Sequence, residues 1–256
     1  MKSVIINQER MAYEDIGTGE PILFIHPPGM GRKVFEKQKP LSTKFRLILP
    51  DLVGQGDSSF HEGSEVSVKR FSEDLVFLMD ELHINSCIIF GYSAGGIISQ
   101  YLAIHFPERV KALILSGAYP NVNNFIFKTE HKLGIYAIKK NKHFISSVIA
   151  KSHTKEKEFR LVLKEHMMKS NADVWKEFYE ESLHFNCKDQ VRNIQVSVLL
   201  IYGSKADQIN THIKFYKKHL PSHQIHVIKG ETHQLPTRRS SEVNDLVTQF
   251  LMNSLN

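Results

Sequence analysis

Ser93 lies in the run Gly91-Tyr92-Ser93-Ala94-Gly95-Gly96. A serine so placed can serve as a nucleophile toward a carbonyl carbon. The bare string is common, but its surroundings here are specific. The apolar run Cys87-Ile88-Ile89-Phe90 leads into it, and a helix-like stretch, Ile97 to His105, leads out. A buried strand turning sharply into a helix is the context of a nucleophile elbow. In such a turn the serine takes a positive φ and its hydroxyl projects from the end of the sheet. The residues two before and two after it must be small, because backbone elements approach closely; Gly91 and Gly95 meet that demand. Gly96 lets the helix start pack tightly. The Ala94 amide, at the helix N terminus, points toward the same space and can stabilise negative charge.

A serine hydroxyl needs a base, and the base needs an orienting acid. In a strand–elbow–helix architecture the acid and then the histidine follow the serine in the chain. Val198-Leu199-Leu200-Ile201-Tyr202 reads as a strand, and Asp207 lies just beyond its end. The end of the preceding strand, Ser116-Gly117-Ala118-Tyr119, has no carboxylate, so Asp207 is the candidate acid. One strand later, after Gln224 to Ile228, comes Gly230-Glu231-Thr232-His233. The chain has 14 histidines, so a loop histidine is weak evidence alone. His233 stands out because it follows a strand and a glycine and precedes a helical stretch, Glu242 to Leu251. His226 lies within the strand and reads as structural.

Positioning these three groups requires a sheet. Apolar runs at Ile22–Ile25, Arg46–Leu49, Cys87–Phe90, Ala112–Leu115 and Val196–Tyr202 each precede a turn signal. Apolar without alternation, they read as strands buried on both faces. Between them Val68 to Leu82 places Phe71, Leu75, Leu78 and Leu82 on one helical face. The pattern predicts an α/β fold: a mostly parallel twisted sheet with helices on both faces. Val4-Ile5-Ile6 and Met11-Ala12-Tyr13 predict an antiparallel hairpin at one edge. From Tyr119 to Arg192 the strand pattern gives way to a lysine-rich helical one. That segment is expected to be a helical cap, residues 119–192, inserted into a core formed by residues 1–118 and 193–256.

Composition narrows the classes. Hydrophobic residues are 41% and charged residues 23%, ordinary globular usage that excludes a disordered or collagen-like chain. Apolar runs of about five residues fall far short of the roughly 18–20 that span a bilayer. The N terminus turns polar too early for a secretory signal, so a cytoplasmic protein is expected. Cys87 and Cys187 form no CxxC pair, so neither zinc nor a disulfide framework is suggested. The net charge is +6. Residues 128–192 hold fourteen Lys and Arg against nine Asp and Glu, so most of the excess is there. A solvated lysine-rich surface accounts for it, and no nucleic-acid-binding pattern supports another reading.

Taken together these residues resemble the α/β-hydrolase superfamily over almost the whole chain. Leu23-Phe24-Ile25-His26 is similar to the family's strand ending in its His-Gly oxyanion segment. Asp51-Leu52-Val53-Gly54-Gln55-Gly56-Asp57-Ser58 is similar to its D-x-x-G-x-G-x-S loop, and Phe106 to Val110 to its stretch after the elbow helix. The resemblance implies a serine hydrolase with a Ser-His-Asp triad and a cap over the site. One departure matters. Pro28 in His26-Pro27-Pro28-Gly29 stands where the family places its second oxyanion amide, and proline has no N–H. Three readings are open. Gly29 or Met30 donates instead; Ala94 acts with a side chain or water; or the site hydrolyses poorly. Gly29 is the favoured donor, since it lacks a Cβ and can turn its amide inward.

The expectation is therefore cleavage of a small ester, thioester or related acyl substrate through an acyl-enzyme. Ser93, Asp207 and His233 are the triad, and Ala94 and Gly29 the oxyanion hole. Pro28, Met30, Tyr92, Trp175 and Phe178 are the expected pocket lining. No cofactor or metal, no nucleic acid and no stable membrane insertion are expected. The alternative is a weakly catalytic or non-catalytic small-molecule sensor that uses the same pocket to signal to a protein partner.

Overall fold

The hydrophobic runs form the strands of one sheet in the computed structural model, which describes residues 1–254. In chain order the elements begin β1 (Lys2–Ile6), β2 (Glu9–Ile16), β3 (Pro21–Ile25) and β4 (Arg46–Pro50). They continue α1 (Val68–Glu81), β5 (Cys87–Tyr92), α2 (Gly95–His105) and β6 (Val110–Ser116). Three helices follow, α3 (Phe125–His153), α4 (Lys157–Lys169) and α5 (Ala172–His184), before β7 (Ser197–Gly203). The chain then runs through α6 (Ile213–His219), β8 (His223–Ile228), α7 (Leu235–Arg238) and α8 (Ser240–Ser254). A 3-10 segment, Arg32–Thr43, joins β3 to β4.

The strand order is β1-β2-β4-β3-β5-β6-β7-β8. β1 and β2 form the edge hairpin that the sequence predicts, and β2 pairs antiparallel with β4; every later pair is parallel. Alternate residues of each strand enter opposite cores, as the pleat requires. On β3, Leu23 and Ile25 join Leu75, Leu78 and Ile97 beneath α1 and α2. Ile22 and Phe24 join Phe35, Val247 and Phe250 beneath the 3-10 segment and α8. Both sheet faces are thus covered, which is why the strands are apolar throughout. Leu75 and Leu78 are fully buried, and each contributes about 1.5–3 kcal/mol of transfer free energy. The Ser67 side chain accepts from the Arg70 N–H and caps the start of α1, worth about 1 kcal/mol.

After β3 the chain crosses to β4, then returns to the other side of β3 to form β5. This is the topological switch point, where open α/β sheets leave a crevice beyond the strand C termini. Register pairs Ile25 with Gly91, so the loop after His26 and the turn at Ser93 emerge side by side.

The residues between β6 and β7 are helical rather than extended. α3 breaks at Asn141, whose φ of −159° and ψ of 86° leave the helix. The Asn141 side chain accepts from the Phe144 N–H and so caps the second half. The Asn124 and Asn171 side chains cap α3 and α5 in the same way. No described helix is long and apolar enough to cross a membrane.

Candidate active site

Ser93 is one of four non-glycine residues with positive φ among those described, at 51°. That strain costs about 1–3 kcal/mol and persists because the surroundings fix it. The Ser93 N–H donates to the Ser116 carbonyl of the neighbouring strand at 2.9 Å, and its own carbonyl accepts from Gly96 at 2.9 Å. The two flanking glycines are required by contact. A Cβ on Gly91 would lie 2.7 Å from the Gly96 Cα, and one on Gly95 would lie 2.1 Å from the Ile25 carbonyl oxygen. The turn is thus pressed between its own helix and the end of β3. Ala94 opens α2, and no described residue accepts from its N–H.

Asp207 and His233 meet across the ends of β7 and β8. The His233 ring Nδ1 lies 3.2 Å from Asp207 Oδ2, and the His233 backbone N–H donates to the same oxygen at 3.1 Å. Asp207 Oδ1 accepts from the Asn210 N–H at 2.8 Å. Burial pushes the Asp207 carboxyl up, but His233 and these backbone amides outweigh it and hold the group below the usual carboxylate range. An ionised Asp207 keeps Nδ1 as the proton-bearing nitrogen and leaves Nε2 free to accept a proton.

Ser93 and His233 are walls of two adjoining cavities of about 190 and 170 Å³. The first is closed by Tyr119, Phe127, Glu130 and His131, the second by Met30, Tyr92, Ile149 and His153. Pro27, Pro28 and Tyr179 belong to both. α3 is tied to the sheet on each side by a matching pair of bonds. The Tyr92 hydroxyl lies 2.9 Å from His153 Nε2, and the Tyr119 hydroxyl 3.1 Å from His131 Nε2. Each ring uses Nδ1 on the carbonyl four residues back, Ile149 and Phe127, so each Nε2 is the acceptor and each tyrosine donates. Burial holds both imidazoles below their ordinary pKa, His153 at about 4. A larger hollow of about 300 Å³ lies between Thr154–Glu156 and Glu231–Arg239. Its walls carry Glu231 paired with Arg238 and Arg239, and Ser93, Asp207 and His233 are not among them.

A family model described as the alpha/beta hydrolase fold matches residues 20–184. The chain belongs to the α/β hydrolase family. Among its relatives is 2-hydroxy-6-oxo-2,4-heptadienoate hydrolase of Pseudomonas putida, 33% identical over 108 residues. That match spans 41% of this chain and only 39% of the relative. Two solved structures share the fold along almost the full length. They are a bromoperoxidase from Bacillus anthracis and an esterase from Exiguobacterium antarcticum. The first has a TM-score of 0.88 at 20% identity, covering 98% of this chain and 99% of that one. The second has 0.85 at 19%, covering 97% of each.

Three sequence expectations for this α/β hydrolase need correction. Gly29 does not offer its amide to the cavity: its N–H donates to the buried Gln55 Oε1 at 2.6 Å. The Met30 N–H closes a turn on the Pro27 carbonyl at 3.3 Å. Gly29 does have a positive φ, 77°, but that freedom serves packing, since a Cβ there would lie 1.9 Å from the Trp175 ring. Trp175 therefore packs on the loop from behind and does not line the pocket. Phe178 is likewise fully buried, its ring centroid 4.9 Å from that of Phe71. Pro28, Met30 and Tyr92 do reach cavity walls. Tyr179, one position past Phe178, is the aromatic residue of α5 that faces the site. Helical periodicity marked a face, but it could not say which neighbour of that face turns toward Ser93.

The loops behind the site are fixed by charge. The Arg32 guanidinium bonds Asp51, and donates to Asp57 at 2.8 Å and to Glu14 at 3.1 Å. His166 on α4 meets Asp51 at 2.9 Å. Asp51, Asp57 and His166 have donor atoms within 4.8 Å of one another, a spacing that could suit a cation. Arg32 and Lys169 already supply the positive charge, so the cluster reads as an ion-paired strut between the core and α4. His26 completes it. Its Nε2 accepts from the Leu52 N–H at 3.0 Å, and its Nδ1 sits 2.9 Å from the Pro27 carbonyl. Burial brings its pKa down to about 4, so it is neutral and staples the ends of β3 and β4.

Proposed function

We propose that this chain is a serine hydrolase acting on a small ester, thioester or related acyl substrate. The observation that carries the reading is the meeting of Asp207 and His233 beside a cavity whose wall includes Ser93. Ser93 Oγ attacks the carbonyl carbon while His233 Nε2 takes its proton. Asp207 stabilises the imidazolium that results. The Ala94 amide donates to the carbonyl oxygen as it becomes an oxyanion. His233 then protonates the leaving group, and later activates the water that releases the acyl group. Among the described residues Ser93 Oγ makes no hydrogen bond; such contacts often tighten only when substrate arrives.

Cavity size supports a compact substrate. Spaces of about 190 and 170 Å³ flank Ser93, each about the volume of six waters. One can hold a short acyl group and the other its leaving group. Relatives bear the names of 2-hydroxymuconate semialdehyde hydrolase and pimeloyl-[acyl-carrier protein] methyl ester esterase, and those names support a carbonyl-bearing substrate here. Two buried, unpaired thiols, Cys87 and Cys187, fit a reducing compartment such as the cytoplasm.

The spent amides of Gly29 and Met30 favour a second reading, a small-molecule sensor with the same pocket. One experiment separates them. p-Nitrophenyl esters from acetate to palmitate are assayed beside Ser93→Ala, and both proteins are treated with a fluorophosphonate. Turnover of the short esters and labelling, both lost in Ser93→Ala, support the hydrolase. Absence of both in the unmodified protein would leave the sensor.

A further inference from the structure

We propose that the phenolic hydroxyl of Tyr179 is the second hydrogen-bond donor to the oxyanion formed at Ser93, replacing the amide that Pro28 cannot supply. This rests on the acyl-transfer reading above.

The backbone donors near Ser93 are accounted for. Pro27 and Pro28 have none. The Gly29 N–H is held by Gln55 and the Met30 N–H by Pro27. The Ser93 N–H is held by Ser116, which leaves Ala94 alone. A single donor is a poor oxyanion hole, since losing one of two typically costs about 10²- to 10³-fold in turnover.

Five residues line both cavities: Pro27, Pro28, Ser93, Tyr179 and His233. These mark the junction where the reacting carbonyl must sit. Ser93 and His233 are committed to attack and proton transfer, and the prolines donate nothing. Tyr179 is the remaining side chain with a proton to give. Its hydroxyl has no hydrogen-bond partner among the described residues. The contrast with its neighbours is sharp. Tyr92 and Tyr119 donate to histidines, Tyr202 to the Ala118 carbonyl at 2.6 Å, and Tyr216 to Gln100 at 2.7 Å. Those four are fully buried, whereas Tyr179 is half-buried and lines both cavities, so its hydroxyl is left open to a group that arrives beside Ser93. Gln208 and Gln234 also carry amides, but each belongs to one cavity only.

The ring is fixed edge-on against His131, with centroids 5.8 Å apart at 76°. Burial pushes the phenol up to about 12, so it remains an O–H donor across the neutral range. In the step itself the Ser93 Oγ–carbon bond forms and the carbonyl π pair moves onto oxygen. The serine proton passes to His233. Tyr179 and Ala94 donate to the new oxyanion without transferring a proton. Collapse returns the pair to the carbonyl and expels the leaving group, protonated by His233.

The test is Tyr179→Phe, assayed on p-nitrophenyl acetate and on its thiono analogue, whose C=S sulfur is a poor hydrogen-bond acceptor. The variant removes an oxygen with no protein partner, so its melting temperature should match that of the unmodified protein. We expect kcat on the oxygen ester to fall about 10²- to 10³-fold with KM little changed. The loss on the thiono ester should be less than about tenfold, because that substrate makes little use of the donor. An unchanged kcat on the oxygen ester would overturn the proposal. So would an equal loss on both esters, which would make Tyr179 a packing residue. If the unmodified protein is no more active than Ser93→Ala, the acyl-transfer reading itself has failed.

Discussion

Two turns face each other across the switch point of the sheet, and they reached their shapes by different routes. The turn at Ser93 is held mainly by backbone: its N–H by the Ser116 carbonyl, and its glycines by close approach to Ile25 and Gly96. Gly91 and Gly95 have no room for a side chain, and the result is an unspent amide at Ala94. The facing loop, His26 to Gly31, also follows a buried strand and also uses positive φ, at Gly29 and Gly31. Its amides are absent or spent, on Gln55 and Pro27, and its back is packed by Trp175 from α5. One turn keeps a free amide, at Ala94, because backbone contacts hold it by its other groups. The other keeps none because two of its positions are prolines, the Met30 amide is spent on Pro27 and the Gly29 amide on the Gln55 side chain. A loop can therefore keep the place of an oxyanion segment while its function passes to a residue of another element.

The most severe way to break this contrast is at the proposed nucleophile. Ser93→Ala should lower kcat by on the order of 10⁴-fold or more while the fold survives, since the members of the proposed triad would act as one unit. Far-ultraviolet circular dichroism checks the fold and ester turnover checks the loss. A variant that keeps most of its activity would remove the reason for comparing the two turns. Next in size, Asp207→Asn should cost about 10³- to 10⁴-fold in kcat by losing the tautomer that Nδ1–Oδ2 contact selects. Its KM should stay close to the parent value, which steady-state kinetics reads directly.

Gly29→Ala probes the facing loop instead. The new Cβ would collide with Trp175 at a positive φ, so overpacking and backbone strain together should destabilise by about 2–4 kcal/mol. A melting temperature within a degree of the parent would show that the loop yields easily. Gly95→Ala, which meets backbone rather than a side chain, gives the matched substitution in the other turn.

The smallest effect is titration. His26 lies in the facing loop, and its pKa is depressed from 6.5 to about 4 by burial. The unfolded chain therefore takes up the proton first, and stability falls as pH drops below about 6.5, levelling below about 4. For this group alone the loss at pH 5 is about 2 kcal/mol. His153 and His212, also held at about 4, add to the same window. Urea midpoints at pH 7 and pH 5 should converge in His26→Gln relative to the parent. Equal pH shifts in the two proteins would show that His26 is not the loop's acid-sensitive staple.

The positions of the strands along the chain, the hairpin edge and the boundaries of α1 were readable because hydrophobic period and turn residues are local signals. The elbow was readable for the same reason: strand, glycines and helix are contiguous. Asp207 and His233 could be nominated from chain order, each after a strand end, although they lie 114 and 140 residues beyond Ser93. Pro28 announced a missing amide, because the lack of an N–H is a covalent fact. The fate of the Gly29 amide was different. Its partner, Gln55, lies 26 residues away, and Trp175 arrives from a helix inserted after β6. A backbone N–H carries no mark in sequence of which way it points, since two soft dihedrals and the nearest acceptor decide it. The same holds for Phe178 and Tyr179, adjacent on α5, one buried on Phe71 and the other opened to both cavities. Which groups are able to donate, accept or attack is written in the residue types themselves. Only the packing of α3 and α5 against the sheet decided which of them are left unpaired beside Ser93, because pairing depends on contacts that the chain makes across more than a hundred residues.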